Sequence, residues 1–196
     1  MENELACIKQ ALDGSDDAFT QLVETYQKPV YNLCYRMLGN ADAAEDASQE
    51  TFFKAYKNLH RYDMKRSFPT WLLSIAAHYC IDQLRRRKYT AFSMDDEEHA
   101  ELPDIEAINP EKEAVRRQGN DQIYQLLDKL DSTDRAAVVL RYWHDCSEVE
   151  ISEALSLTIP AVKSRLHRAR KALASLWEKE YAQTNLERSP YESPAF

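Results

Sequence analysis

The stretch that decides the fold is 147–176, SEVEISEALSLTIPAVKSRLHRARKALASL. Ser147, followed three residues later by Glu150, predicts a capping box at the start of a first helix. Pro160 has the fixed φ angle that suits the first turn of a second helix. Between them, the residues from Ser156 to Thr158 interrupt the helical spacing of apolar side chains and predict a tight turn. The stretch therefore predicts a helix-turn-helix, whose second helix can enter the major groove of DNA.

The second helix of this motif is basic. Its apolar side chains are spaced so that they can face a core: Val162, Leu166, Leu173 and Leu176. The positions between them hold basic and polar side chains: Lys163, Ser164, Arg165, His167, Arg168, Arg170 and Lys171. No acidic residue occurs from Leu157 to Leu173. The alternative interpretation is a solvated basic face on a surface helix, but a basic run in an acidic protein favours a contact with DNA.

Composition predicts the fold class. The chain has 196 residues, 44% of them hydrophobic, and three glycines. Because sheets joined by tight hairpins usually need more glycine at positive φ, we expect an all-α protein. The length permits one ordinary domain or two small ones. The formal net charge of −8 argues against non-specific nucleic-acid binding by the chain as a whole. The charges are segregated, however, with basic clusters at 85–88 and 163–171 and acidic ones at 42–50 and 95–113.

The sequence shows neither a targeting segment nor the residue patterns of an enzyme. The first ten residues carry no apolar signal core, and no run approaches the roughly 20 apolar residues of a membrane span. Cys7, Cys34, Cys80 and Cys146 form no Cys-x-x-Cys pair, and the second and third lie on apolar helix faces, as buried thiols do. No glycine-rich phosphate loop, zinc signature or metal-ligand spacing of histidines is present. We therefore expect a soluble cytoplasmic protein without catalytic residues, cofactor or metal site.

Apolar spacing predicts helices along the rest of the chain. A short helix over 3–12 is closed by Gly14, and the next begins at Ser15 or Asp16, is interrupted at Pro29, and ends at Gly39. Asn40 or Asp42 opens a helix that is acidic first and aromatic later.

A polar loop, 61–68, leads into a long helix that starts at Pro69 and ends near Lys88. Aromatic side chains beside Lys and Arg suit the binding of unstacked bases. The alternative, that Phe68 and Trp71 belong to the core, has equal weight. Beyond residue 90 an acidic segment with two prolines breaks the pattern and reads as a linker.

Four blocks of the sequence resemble one family: DDAFTQLVETYQKPVYNLCYRMLGN, ADAAEDASQETFFKAYKNL, FPTWLLSIAAHYCIDQLRRRK and IPAVKSRLHRARKAL. In this order they are similar to the extracytoplasmic-function (ECF) sigma factors of bacterial RNA polymerase, which are the minimal two-domain sigma factors. The resemblance covers nearly all of 16–176. It divides the chain into a region 2 domain (1–89), a flexible acidic linker (90–116), a region 4 helix-turn-helix domain (117–180) and a tail that we predict to be disordered (181–196).

The resemblance implies a function and a set of partners. A sigma factor binds core RNA polymerase, reads the −35 and −10 promoter elements and assists promoter melting. The partners are then promoter DNA, the clamp helices of the largest polymerase subunit and the flap of the second-largest one. An anti-sigma factor, in some cases membrane-anchored, is a further family partner, and no small-molecule substrate is implied. The alternative is a stand-alone dimeric helix-turn-helix regulator, which would leave the acidic helix and the Trp71 helix without a role.

The resemblance also assigns roles to single residues. Polymerase binding falls on the acidic helix, at Asp42, Glu45, Asp46, Gln49, Glu50 and Phe53. Recognition of the −10 element falls on Tyr62, Lys65, Arg66, Phe68, Trp71, His78, Arg85 and Arg86. Recognition of the −35 element falls on Lys163, Ser164, Arg165, His167, Arg168 and Arg170.

At three places the sequence departs from the family pattern. His78 stands where many relatives have Asn, so the −10 base preference stays open. Ser156 occupies a turn position where Gly is common, and Pro160 and Ala161 replace a Gly-Thr pair at the start of the recognition helix. A contact that the Thr hydroxyl would make is therefore lost.

Overall fold

The structure, a computed structural model, describes residues 2–94 and 123–187, and the side chains of 4–90 and 123–177 among them. These residues form helices and no strand, which confirms the all-α prediction. The helices are α1 (Glu2–Leu12), α2 (Asp16–Leu38), α3 (Ala41–Asn58), α4 (Phe68–Met94), α5 (123–128 of the described part), α6 (Ser132–Trp143), α7 (Glu148–Ala154) and α8 (Ile159–Glu187). A 3-10 turn, Leu59–Arg61, follows α3. Among the described helices, none has a stretch that is both long and apolar enough to cross a membrane.

Helices α1–α4 form the first domain, around a core centred on α2. Val30, Leu33 and Met37 of α2 are at most 1% exposed. Buried alanines on α3 and α4, such as Ala47 and Ala76, leave room for the helices to approach α2 closely. Cys34 and Cys80 are buried free thiols in this core, as the sequence predicts.

Local capping signals set the ends of α2 and α3. The side chain of Ser15 accepts a hydrogen bond from the N–H of Ala18 and so caps α2, and Asn40 does the same for α3 through Ala43. Gly39 ends α2 in the left-handed conformation, with φ +69°, which Gly adopts without strain. The sequence predicted the end at Gly39, and Ser15 and Asn40 were one of the two alternatives at each helix start.

Pro29 does not interrupt α2, contrary to the sequence prediction. The helix runs from Asp16 to Leu38 with Pro29 inside it. Val30 and Leu33, which follow the proline, are buried against the rest of the domain, so their burial offsets the hydrogen bond that Pro29 cannot donate.

Helices α5–α8 form the second domain. Asp131 caps α6, and both halves of the predicted capping box, between Ser147 and Glu150, are present at the start of α7. Its buried apolar side chains include those of Leu127, Val139, Leu140, Ile151, Val162, Leu166 and Ala169. α7, the turn after it and α8 form the predicted helix-turn-helix.

Two helices extend beyond the ends that the sequence predicted. α4 continues to Met94, past residue 90 where the linker was expected to begin, and α8 continues to Glu187, past residue 181. Neither extension contains Gly or Pro, so nothing in the local sequence stops the helix. The rest of the predicted linker, 95–116, the start of the predicted second domain, 117–122, and the rest of the predicted tail, 188–196, lie outside the described residues.

Candidate nucleic-acid and polymerase interface

The recognition helix α8 presents one polar face to solvent. Val162, Leu166 and Ala169 are buried against the second domain. The opposite side carries exposed side chains that the sequence assigned to −35 recognition: Lys163, Ser164, His167, Arg168 and Arg170. The first four of them are spaced at i, i+1, i+4 and i+5 and therefore lie on one face of the helix. Thr158 precedes the helix and caps it, because its hydroxyl oxygen accepts a hydrogen bond from the N–H of Ala161.

Arg165 differs from the other side chains of this set because it is held by α6. Its Nη1 lies 2.6 Å from Oδ1 of Asp134. Only 27% of the Arg165 side chain is exposed. Nη2 of Arg168 lies 3.5 Å from the same carboxylate oxygen. Asp134, in the first turn of α6, therefore holds the side chain of Arg165 and also attracts that of Arg168.

The turn of the helix-turn-helix has a strained residue. Ser156 has φ +53°, in the left-handed region where a Cβ atom is disfavoured. Relatives commonly have Gly at this position of the turn, and Gly adopts a positive φ without strain. Ser156 therefore occupies a position for which Gly is better suited. The turn forms nevertheless, since the N–H of Leu157 donates to the carbonyl of Ser152.

The residues predicted to contact the −10 element fall into two groups. Tyr62 and Phe68 are buried, at 7% and 3% exposure. With Tyr26 and Trp71 they form an aromatic cluster whose ring centroids lie 5.1 to 5.6 Å apart. Trp71 is half-buried and lies at the edge of the cluster. The structure therefore places Tyr62 and Phe68 in the core, which agrees with the alternative interpretation for Phe68. Both rings pack against the ring of Trp71.

The second group is exposed. Its members are Lys65, Arg66, His78, Arg85 and Arg86. Nδ1 of His78 lies 2.8 Å from the carbonyl oxygen of Ser74, one turn earlier in α4. If Nδ1 carries the proton and donates it to this carbonyl, Nε2 of the neutral ring is a hydrogen-bond acceptor. The exposed edge of α4 thus combines positive charge, one aromatic ring and one imidazole.

The residues assigned to polymerase binding lie on the outer face of α3. Asp42, Glu45, Asp46, Gln49 and Phe53 are exposed, and Glu50 is half-buried. Phe53 is 51% exposed, and Nζ of Lys57 lies 4.0 Å from the centre of its ring. Phe53 is thus an exposed aromatic side chain among the carboxylates of α3, and aromatic side chains are enriched in protein interfaces.

Sequence reasoning missed a groove beside this face. The groove, of about 600 Å³, lies between α2 and α3 and is lined by Val23, Gln27, Lys28, Tyr31, Glu45, Ser48, Gln49 and Phe52. Burial is the main cause that raises the pKa of Tyr31, and Tyr35 and then the carboxylates Glu45 and Asp42 raise it further. The i, i+4 spacing of Gln27 and Tyr31 on α2, and of Glu45 and Gln49 on α3, is the sequence signal that places each pair on one face of its helix.

No group of His, Cys, Asp and Glu side chains suited to a metal ion occurs in the part of the chain that the structure describes. The features that the described residues do present are two polar faces on two domains, one basic and one mixed, and an acidic face on α3. This arrangement fits a protein that binds macromolecules.

Comparison with known proteins identifies the family. The Sigma-70 region 2 profile matches residues 22–90, and the Sigma-70, region 4 profile matches 120–173. The ECF RNA polymerase sigma factor SigW of Bacillus subtilis is 38% identical over 177 residues, which are 85% of this chain and 92% of SigW. The chain belongs to the ECF sigma factors. As a sigma factor it is a transcription initiation factor, which binds core RNA polymerase and promoter DNA, and not a stand-alone regulator.

Other relatives agree with this assignment. The sigma-H factor of Pseudomonas aeruginosa is 30% identical over 180 residues, with 88% of this ECF sigma factor and 92% of the relative covered. Among solved structures, CnrH in complex with the cytosolic domain of CnrY matches with a TM-score of 0.68 at 24% identity and covers 90% of this chain and 98% of CnrH. RpoE in complex with the anti-sigma factor NepR from Bartonella quintana matches with a TM-score of 0.63 at 23% identity, covering 82% and 96%. At these levels of identity, the two matches show that the fold is the same.

Proposed function

We propose that the two domains of this sigma factor bind different partners and promoter elements. The first domain, residues 1–89, binds core RNA polymerase through α3 and captures the −10 element on the exposed edge of α4. The second domain, residues 117–180, reads the −35 element with α8. The observation that carries this proposal is the separation of the acidic face of α3 from the basic faces of α4 and α8.

The proposal for −35 recognition rests on the exposed face of α8. Lys163, Ser164, His167 and Arg168 lie along one side of a helix whose other side is buried. Lys and Arg side chains on such a face supply phosphate contacts and hydrogen bonds to guanine edges. Arg165, fixed by Asp134, supplies a guanidinium in one preset orientation.

The proposal for −10 capture rests on Trp71 and its surroundings. A flipped base can stack on an aromatic side chain that is partly exposed and held rigidly. The buried rings of Tyr62 and Phe68 hold Trp71 in place. Arg66 lines a small cleft together with Trp71, and His78 is exposed about two turns further along α4, so these side chains can bind a phosphate and a base edge. In this proposal Tyr62 and Phe68 shape the pocket and do not touch the DNA.

The proposal for polymerase binding rests on α3. Its carboxylates meet basic residues of the clamp helices, and Phe53 provides an apolar anchor. We further propose that the protein catalyses no reaction itself, acts in the cytoplasm, where polymerase and promoters are, and is held inactive by an anti-sigma factor. Two relatives of similar fold are known in complexes with the cytosolic domain of CnrY and with the anti-sigma factor NepR, which supports the last point.

Reconstitution tests the proposed function. The full chain is mixed with purified core polymerase and genomic DNA fragments, and the transcripts are sequenced to define the promoters. Phe53→Ala is expected to weaken co-elution with core, whereas Tyr56→Ala, which removes an aromatic ring of the same 51% exposure from the same helix, is the matched control. Arg168→Ala is expected to leave co-elution unchanged and to lower initiation at promoters with an intact −35 element. A chain that neither co-elutes with core nor directs initiation would contradict the proposal.

A further inference from the structure

A small pocket lies where the end of α6 packs against α2. Its walls are formed by four residues of α2, by the last residue of α6 and by the residue that follows: Lys28, Pro29, Asn32, Arg36, Trp143 and His144. Its volume is about 240 Å³. None of these residues takes part in the proposed function.

The pocket is positively charged. Lys28 and Arg36 contribute two cations, and among the described residues that line the pocket there is no carboxylate. Lys28, Asn32 and Arg36 are spaced at i, i+4 and i+8, so they lie on one face of α2. At a rise of about 1.5 Å per residue, the two cations start about 12 Å apart along the helix axis. Their long side chains can therefore reach one ligand from both sides.

Arg36 is held in place within this pocket. Its guanidinium carbon lies 5.2 Å from the centre of the Trp143 ring. Its Nη1 donates a hydrogen bond of 3.2 Å to the carbonyl oxygen of Asn32. A guanidinium has several N–H donors, and this bond uses only one of them. Because the group is already oriented, it loses little side-chain entropy when it binds an anion.

His144 adds a nitrogen that the protein leaves unpaired. Its Nε2 is buried and has no hydrogen-bond partner among the described residues. Burial, followed by the charge of Arg36, lowers the pKa of His144 to about 4, while Asp145 opposes the shift, so the ring is neutral near neutral pH. With the proton on Nε2, a neutral ring can donate a hydrogen bond. Since an unpaired buried donor is unfavourable, a ligand oxygen in the pocket would satisfy it.

The size and charge of the pocket indicate the class of ligand. Pockets for drug-sized molecules have volumes of about 300 Å³ or more, so this pocket suits a smaller molecule. Two cations without a carboxylate favour a dianion. A tetrahedral oxyanion has oxygens on several sides and can accept hydrogen bonds from α2 and from the end of α6 at once, whereas both oxygens of a carboxylate lie in one plane. Arg and Lys are common phosphate ligands.

We propose that this pocket binds a phosphate group, either as inorganic phosphate or as the monoester of a small molecule, through Lys28, Arg36 and His144. Lys28 supplies charge, Arg36 supplies charge and oriented donors, and Nε2 of His144 donates a hydrogen bond to a phosphate oxygen. The bound phosphate thereby links α2 to the end of α6. The inference is independent of the proposed function, because it requires neither polymerase nor promoter DNA.

Titration of the full chain with inorganic phosphate tests the site. Calorimetry is carried out near neutral pH, at an ionic strength held constant with KCl, and we expect saturable binding of one phosphate per chain. The side-chain resonances of His144, identified by their absence from the NMR spectrum of His144→Gln, should shift with the same saturation curve. Those of His60, exposed in the 3-10 turn, should not. Heats and shifts no larger than those caused by KCl alone would overturn the proposal.

Variants that remove one cation locate the binding site. Arg36→Gln should weaken phosphate binding by about tenfold, because hydrogen bonds between charged groups are the stronger kind. Lys28→Gln removes an exposed cation and should weaken binding by about two- to fivefold. Arg61→Gln and Lys9→Gln, which remove the same charges from exposed positions elsewhere in the first domain, should bind as the wild type does. Equal losses in variants and controls would show a response to net charge alone and would overturn the site.

His144→Leu tests the buried donor, since leucine cannot form a hydrogen bond. We expect binding to weaken by about tenfold, and binding equal to that of the wild type would exclude His144 from the site. Circular dichroism establishes that each variant is folded. Lys28 is exposed, so Lys28→Gln remains an informative variant even if a change at Arg36 or His144 prevents folding.

Two further ligands identify the source of the phosphate group. Tighter binding of glycerol phosphate than of inorganic phosphate would assign the site to a phosphate monoester, and the reverse order would assign it to free phosphate; either order supports a phosphate site. Malonate, a dianion with flat carboxylate groups, should bind more weakly than both. Malonate binding as tight as that of phosphate would overturn the assignment to phosphate.

Discussion

Nη1 of Arg165 on the recognition helix lies 2.6 Å from Oδ1 of Asp134 on α6. The Asp134 side chain is only 13% exposed, and its carboxylate also lies 3.5 Å from Nη2 of Arg168. A charge-assisted contact of this length fixes the orientation of a guanidinium better than solvent can. Asp134 is therefore a positioning residue for the DNA-reading face of α8.

Asp134→Ala should reduce discrimination between intact and mutated −35 elements. We expect the discrimination to fall by about 1 kcal/mol, or about fivefold. One good bidentate base contact supplies roughly 1–3 kcal/mol of discrimination, and Arg165 should lose part of this when Asp134 no longer orients it. Transcription from the two promoters by reconstituted holoenzyme measures the ratio, and co-elution with core should not change. The double variant Asp134→Ala/Arg165→Ala should lose less discrimination than the sum of the two single losses, because Asp134 acts mainly through Arg165 and has a longer contact with Arg168. Additive losses would show that Asp134 acts by another route.

Ser156→Gly should stabilise the second domain by about 0.5–1 kcal/mol, because it removes the strain of a Cβ atom at φ +53°. The same change at Ser152, inside α7, should destabilise by about 0.5 kcal/mol, since Gly is less favourable than Ser within a helix. Urea unfolding followed by helical circular dichroism measures both. If both variants lose stability equally, the backbone at Ser156 is not strained.

Features that depend on neighbouring residues could be predicted from the sequence. The capping box at Ser147 and the left-handed end at Gly39 were recognised because the residues that form them are close together in the chain. The exposed face of α8 followed from helical spacing alone. Pro29 was interpreted wrongly because its propensity to break a helix was outweighed by burial of the residues after it.

Features that join distant residues could not be predicted. Thr70 and Glu150 are 80 positions apart, and no local pattern in either segment indicates the contact. The burial of Arg135 belongs to the same class, since charged residues are mostly exposed. Whether Phe68 faces the core or the solvent also depends on packing, which places it against Tyr26 and Tyr62.

Arg135→Ala should uncouple the two domains. It removes the hydrogen bond to the carbonyl of Met37 and the 2.7 Å ion pair with Asp128, and we expect a loss of about 2–3 kcal/mol for a buried bond that involves a charged group. Calorimetry should show that the single transition of the wild-type chain divides into two. Arg141→Ala, an exposed arginine on the same helix, is the control and should cost less than about 1 kcal/mol. A single transition with an unchanged midpoint in Arg135→Ala would refute the coupling.

Stability should fall as the pH drops from about 7 to about 5, and His144 is the expected cause. Burial, followed by the charge of Arg36, lowers the pKa of His144 from 6.5 to about 4, while Asp145 opposes the shift. Lys28 and Arg36 of α2 line the same site. Because the unfolded chain takes up the proton first, the stabilisation is complete above about pH 6.5 and is lost progressively toward pH 4, by about 1–2 kcal/mol at pH 5 after allowance for partial exposure.

His144→Gln provides the control for this pH dependence. Glutamine keeps a polar side chain at the edge of α6 but does not titrate, so the free energy of unfolding of the variant should change little over the same interval. The lowered pKa of Glu150 acts at more acidic pH, because a carboxylate with a depressed pKa loses its stabilising effect only as the pH falls below its ordinary value of 4.5. Urea unfolding at a series of pH values separates the two groups. Parallel curves for wild type and His144→Gln would assign the pH dependence to another residue.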